Sequence, residues 1–241
     1  LVTLVSPQRH PAAWPETVYR ALAPGTAFPP AGLTHRAAGS CVVGPGLETD
    51  AAADLLAAVV AWAEGPVVIA ASALAPAALL PVLEAHAAAR AAGSQGERLE
   101  RAFVLTPHAG EAGRLLDMPP AAVDADPLAA AASLCGLTGS IVVLKGPTTV
   151  VAAPDGRRAV STRGHPGMAS GGTGDVLAGL LGALTATAHS EATVFERACL
   201  AVFVHGVAGE RAAARHGDSL VASDLADELG GVLARLASGG W

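Results

Sequence analysis

Short apolar runs alternate along this chain with longer stretches in which alanine and leucine recur at helical spacing. The runs at 1–6, 41–43, 67–70, 103–105, 141–145 and 149–153 read as β-strands. Being apolar throughout rather than alternating, they suit strands covered on both faces. Residues 49–63, 76–92, 108–116, 127–135, 174–188, 191–214 and 222–237 read as helices. Strand–helix alternation of this kind implies βαβ units, so the expected fold is α/β, a mostly parallel central sheet with helices on both faces. The run 149–153 is the exception: Pro154-Asp155-Gly156 follows it at once, and that turn chemistry predicts a local hairpin.

Punctuation refines this picture. Pro119-Pro120 is expected to end the helix that opens at His108, because proline cannot continue it. Gly93-Ser94-Gln95-Gly96 reads as a surface loop and Ser238-Gly239-Gly240-Trp241 as a frayed tail. No internal repeat or linker divides the 241 residues, so one domain over 1–241 is expected. The chain opens on the strand-like Leu1-Val2-Thr3-Leu4-Val5, with neither an initiator Met nor a basic leader, and is expected to begin inside that domain.

Composition narrows the class. With 51% hydrophobic and 15% charged residues the chain is not a disordered one. It has no uninterrupted apolar run of about 18 residues, so no membrane span and no membrane partner is expected. A net charge of −6 without a basic patch argues against nucleic acid as a partner. Cys41, Cys135 and Cys199 are scattered, odd in number and without metal spacing, so a reducing cytoplasm is expected and each reads as a small buried hydrophobe.

An acidic chain can still handle phosphate through backbone amides at a helix start. The segment that offers this is Gly164-His165-Pro166-Gly167-Met168-Ala169-Ser170-Gly171-Gly172-Thr173-Gly174-Asp175, after which a helix begins. Its glycines let N–H groups converge, and the helix N-terminus adds partial positive charge where a phosphoryl group could sit. Asp175 stands where a general base would reach a substrate hydroxyl; as an isolated residue it would read first as a helix cap, and the long glycine-rich run before it reverses that preference. Two further segments leave strand ends, the usual ligand edge of such a sheet: Thr106-Pro107-His108-Ala109-Gly110-Glu111 and Lys145-Gly146-Pro147-Thr148-Thr149. Lys145 is the only lysine in the sequence and suits a phosphate contact, with a solvated strand-end lysine as the plain alternative. His108 reads as a ligand contact or an exposed loop histidine. Gly44-Pro45-Gly46-Leu47 permits close backbone approach. His205 reads as a satisfied core histidine, and Ser223 or Asp224 as the cap of the last helix. No His/Cys metal cluster is present in the pattern, and no protein metal site is expected.

Taken in order, Gly44-Pro45-Gly46-Leu47, Thr106–Glu111, Leu144-Lys145-Gly146, the glycine-rich run ending in Asp175, and His205-Gly206 with Ala222-Ser223-Asp224 resemble the ADP/ATP-dependent NAD(P)H-hydrate dehydratase family of the ribokinase-like superfamily. The resemblance implies a hydro-lyase that repairs the S form of hydrated NADH or NADPH, using ADP or ATP with Mg²⁺. It implies a catalytic Asp175, with Gly172, Thr173 and Gly174 holding the transferred phosphoryl group. It puts Gly46, His108 and Asp175 on the hydrated cofactor, and Gly174 with Lys145, Gly146, Pro147, Thr148 and Thr149 on the nucleotide. A homo-oligomer and an epimerase domain or partner are further implications. The chain departs from the family pattern at Ala70, Ser72 and Ala75, where Asp, Asp and Asn are usual, and at His165, Pro147 and Thr148. The family's first strand and glycine-rich loop are expected to be missing ahead of Leu1. A ribokinase-like vitamin-precursor kinase and a catalytically impaired nucleotide-binding relative are the alternatives.

Overall fold

Neighbouring residues of the central strands belong to two different cores. The computed structural model describes residues 2–6, 18–22, 27–30, 33, 39–91, 102–186 and 192–240. Its strands are β1 (Thr3–Ser6), β2 (Val18–Ala21), β3 (Cys41–Val43), β4 (Val67–Ile69), β5 (Phe103–Leu105), β6 (Ile141–Leu144), β7 (Thr149–Ala152) and β8 (Arg158–Ser161). Its helices are α1 (Thr49–Trp62), α2 (Pro76–Ala91), α3 (Ala109–Leu116), α4 (Pro120–Ala125), α5 (Pro127–Thr138), α6 (Thr173–Thr185), α7 (Val194–His216) and α8 (Ala222–Ala237). Val67, Ile69, Phe103, Leu105, Val142 and Leu144 pack with α1, α2, α3 and α5. The residues between them, Val68, Val104 and Val143, pack with α6, α7 and α8. The period of two along each strand thus feeds both faces, which is why the strands carry no polar alternation.

The six central strands lie in the order β3-β4-β5-β6-β7-β8, parallel from β3 to β6 and antiparallel thereafter. The expected α/β fold and the β7–β8 hairpin are both present. β1 and β2 form a separate parallel pair. β2 carries no periodic signal that would have predicted it.

Two expectations need correcting. Asp117, at φ 53°, closes α3 in the left-handed conformation, and Pro119-Pro120 then starts α4 with Pro120 in its first turn. Proline's missing amide costs nothing there, because that amide would have no intrahelical partner. At the chain end, the Gly240 amide donates to Arg235 O at 3.1 Å and Arg235 Nε donates to Gly240 O at 2.6 Å, so 238–240 folds back on α8 instead of fraying. The predicted loop at 93–96, the helix ends at 92, 187–188 and 191, and the terminal residues Leu1 and Trp241 lie outside the described residues.

Candidate active site

Strands β3 to β6 run in one direction, so the segments that follow them emerge along one edge of the sheet. The pairing of β5 with β6 continues past the strands: Lys145 N–H donates to Pro107 O at 2.8 Å, and His108 and Lys145 form an isolated parallel bridge. Two segments far apart in sequence are thereby placed side by side. His108 caps α3, its Nδ1 accepting from the Gly110 amide at 2.9 Å, while Glu111 Oε2 accepts from the His108 amide at 2.8 Å. That reciprocal cap holds the Glu111 carboxylate, only 8% exposed, with Oε2 3.9 Å from Lys145 Nζ. Burial pulls the Lys145 pKa below the usual lysine value, and the charges of Glu111 and Asp175 pull it back up.

Lys145 also reaches the glycine-rich run. A Cβ built on Gly174 would stand 3.1 Å from Lys145 Nζ, so the ammonium lies against bare backbone at the start of α6. Gly172 precedes that helix at φ 89°, a conformation that favours glycine. The Asp175 and Val176 amides donate to Gly172 O at 3.0 and 3.1 Å. Among the described residues no carbonyl takes the amides of Gly172, Thr173 or Gly174. The Thr173 side chain points inward, its hydroxyl within 2.7 Å of Met168 O and 3.0 Å of Ser170 O, which ties the helix start to the turn before it. His165, at the position where the resemblance would have Asn, caps that turn by accepting from the Gly167 amide at 3.1 Å. Asp175 is exposed in the first turn of α6. Free amides, a partly buried ammonium and an accessible carboxylate therefore converge, a set that can seat a phosphoryl group and accept a proton beside it.

The remaining predicted residues surround this centre at different ranges. Gly146 and Pro147 are exposed and Thr148 and Thr149 half-buried in the β6–β7 turn directly after Lys145, with Thr149 Oγ1 donating to Gly146 O at 3.4 Å. Gly46, at φ 71°, lies beyond β3 on the same edge; among the described residues no hydrogen bond or ion pair joins it to Lys145 or Asp175. Its loop is pinned by Ser72, whose hydroxyl donates to Gly44 O at 2.8 Å. Where the resemblance would have a carboxylate, this chain has a hydroxyl that holds a neighbouring loop. Asp224 does not cap α8 from outside, nor does Ser223: helix α8 begins at Ala222, and Asp224 reaches back to accept from the Val221 amide at 2.9 Å.

Sequence reasoning underrated His205. Its Nε2 donates to Thr173 O at 2.9 Å, joining α7 to the first turn of α6. Burial holds its pKa below the usual histidine value, opposed by the hydrogen bond to Thr173, so the ring is neutral and carries its proton on Nε2. The only local signal was a histidine beside glycine on an apolar helix.

The family model described as NAD(P)H-hydrate dehydratase matches residues 12–230. The ADP-dependent (S)-NAD(P)H-hydrate dehydratase of Xanthomonas campestris pv. campestris is 35% identical over 202 residues, which is 83% of this chain and 63% of that protein. A bifunctional NAD(P)H-hydrate repair enzyme of Leishmania braziliensis is 48% identical over 115 residues, 47% of this chain and 20% of the relative. The chain thus spans less than two thirds of the length of these relatives. Among solved structures, the ADP/ATP-dependent NAD(P)H-hydrate dehydratase of Bacillus subtilis, co-crystallized with ATP/Mg2+, has a TM-score of 0.67 at 28% identity, covering 81% of this chain and 64% of that one.

Proposed function

The chain belongs to the NAD(P)H-hydrate dehydratase family, and from that premise we propose that it dehydrates the S form of hydrated NADH or NADPH at the expense of ADP or ATP. One observation carries the reading to this chain: Asp175 is accessible at the start of α6, beside the Lys145 ammonium and three amides that no carbonyl takes among the described residues. The Xanthomonas relative is ADP-dependent by name, which favours ADP, with AMP and phosphate as products.

In this reading Asp175 takes the proton of the C6 hydroxyl as that oxygen attacks the terminal phosphorus of the nucleotide. The amides of Gly172, Thr173 and Gly174 hold the oxygens of the moving phosphoryl group, and Lys145 offsets their charge; phosphoryl transfer needs little more than positioning and neutralisation. The C6–O bond then breaks, phosphate leaves, C5 loses a proton, and the ring double bond returns. His108 and Gly46 would border the hydrated cofactor, and Gly146, Pro147, Thr148 and Thr149 the nucleotide. No group of three or more His, Cys, Asp or Glu among the described residues is disposed to cage a metal. Mg²⁺ carried in on the phosphates would ask for only one or two protein carboxylates. Glu111, the larger of the two charges that act on Lys145, would hold it, leaving Asp175 as the base. When bound, Mg²⁺ supplies charge neutralisation on the phosphates.

The reading extends to the protein's setting. A cytoplasmic location is proposed because the substrate is a damaged soluble cofactor; no helix among the described residues is long and apolar enough to cross a membrane. Relatives of Leishmania braziliensis and Escherichia coli are bifunctional repair enzymes by name, which supports an epimerase, as a further domain or a partner, that would supply the S form. Association of several copies of one domain is proposed with it.

The test is recovery of reduced-nicotinamide absorbance from hydrated NADH with ADP and Mg²⁺. Wild-type protein is expected to restore it. Asp175→Asn, which keeps the shape and removes the base, is expected to slow it about 10²- to 10⁴-fold. Equal rates would remove Asp175 from the mechanism.

A further inference from the structure

We propose that His205 is a positioning residue for the phosphoryl seat: by holding the Thr173 carbonyl it aims the Gly174 amide. The inference rests on the dehydratase reading for its consequence, though not for its geometry. A peptide unit is planar and trans, so the Thr173 carbonyl and the Gly174 N–H point in opposite directions. Fixing one fixes the other. The Thr173 carbonyl already belongs to the α6 ladder, and His205 adds a second donor to it from outside the helix. The Gly174 amide itself has no carbonyl partner among the described residues. The His205 Nε2–H, 2.9 Å from Thr173 O, pulls that oxygen toward α7 and turns the Gly174 amide away from it.

The support behind His205 is rigid. Val204, Val207 and Ala208 are buried in the core shared by α6, α7 and α8. On one face of α7, four residues brace the glycine-rich segment in succession. Glu210 Oε1 accepts from the Gly164 amide at 3.1 Å and its Oε2 from Arg163 Nη1 at 3.1 Å. A Cβ on Gly206 would stand 2.6 Å from the Arg163 side chain and 2.7 Å from its carbonyl oxygen, and one on Gly209 would collide with Met168. Positions 205, 206, 209 and 210 share a helical face, so α7 meets the segment at Arg163, Gly164, Met168 and Thr173 as a single template. Three of those contacts place the loop, whereas the His205 contact falls on the peptide that carries the amide.

The experiment compares His205→Gln, His205→Asn and His205→Leu in the full chain. A glutamine amide reaches to where Nε2 stands; an asparagine amide reaches only to the Nδ1 position. Steady-state kinetics with hydrated NADH and ADP are expected to show kcat lowered at least about tenfold in the Asn and Leu variants, since a lost oxyanion donor costs about 10²- to 10³-fold and a misaimed one less. KM for hydrated NADH should stay within about twofold, and the Gln variant should recover most of kcat. In parallel, ¹⁵N-glycine labelling should show the Gly174 amide resonance displaced in the Asn and Leu variants and restored in the Gln variant. If the Leu variant does not fold, the Asn–Gln pair decides alone. Wild-type kcat in folded Asn variant, equal losses in Asn and Gln, or an unmoved Gly174 resonance overturns the proposal. An inactive wild type with the expected Gly174 displacements would sink the dehydratase reading and leave the positioning role standing.

Discussion

Lys145 crowds Gly174: a Cβ on residue 174 would lie 3.1 Å from the lysine Nζ, a few tenths of an ångström inside ordinary contact. Gly174 is in the first turn of α6, and the contact is with the far end of a flexible side chain, so the lysine rather than the helix would give way. Alanine is the better helix former, by about 0.5–1 kcal/mol. Gly174→Ala is therefore expected to keep or slightly raise the melting temperature while weakening catalysis through a displaced ammonium. Differential scanning fluorimetry beside an ADP titration checks this. A variant that melts early but turns over normally would contradict it.

Glu111 and Lys145 yield a prediction in pH. Burial depresses the Lys145 pKa and Glu111 is the larger of the two charges opposing that depression. Glu111→Gln keeps an acceptor for the His108 amide but removes the charge, so the lysine should lose its proton at lower pH. If the protonated lysine is what neutralises the phosphoryl group, activity falls as pH rises through its pKa, and this alkaline limb moves to lower pH in the variant. Stability has the opposite sign. Between the depressed folded pKa and the unfolded one, the unfolded chain binds more protons, so the contribution of Lys145 to stability rises with pH. A loss of activity in a range where the fold holds or strengthens separates titration of the lysine from alkaline unfolding. An alkaline limb that stays in place in Glu111→Gln would dismiss the coupling.

How far the sequence could be read depended on whether a feature was local. Asp175 and the glycines before it form one continuous string, and an α/β pattern follows from apolar strands such as 103–105 set between helices. The contact of His108 with Lys145 is not local. It exists because β5 and β6 pair in parallel and carry their register one step beyond the strands. Glu111 showed the same limit: dipole preference explained a carboxylate in the first turn of α3, but its ion pair with Lys145 depends on that register. His205 reads as a satisfied core histidine; it is half-buried and hydrogen-bonded, and what the pattern could not reveal is that the partner is Thr173. The helix from His108 ends at Leu116 as expected, but that Pro119-Pro120 starts α4 was missed, because proline disfavours a helix interior and favours a helix start, and spacing alone does not say which applies.

Ala71 supplies the last prediction, away from the phosphoryl seat. It follows β4 at φ 47°, in the left-handed region, and opens the 3₁₀ turn Ala71–Leu74. Ser72 in that turn holds Gly44, and Gly44 itself is so close to Ala70 O that only a glycine fits there. The turn is thus locked between two strands, and the alanine has to accept the backbone it is given. A non-glycine residue in this region carries about 1 kcal/mol or more of strain. Glycine removes the strain but has more freedom to lose on folding, so Ala71→Gly is expected to stabilise by a net of about 0.5–1 kcal/mol. For a domain of this size that corresponds to roughly 2–4 °C in melting temperature for each kcal/mol. Ala71→Val, whose branched side chain tolerates the left-handed region least, should shift the midpoint the other way. Urea denaturation of the three proteins measures both changes, and a valine variant as stable as the glycine one would show that residue 71 is not held in this conformation.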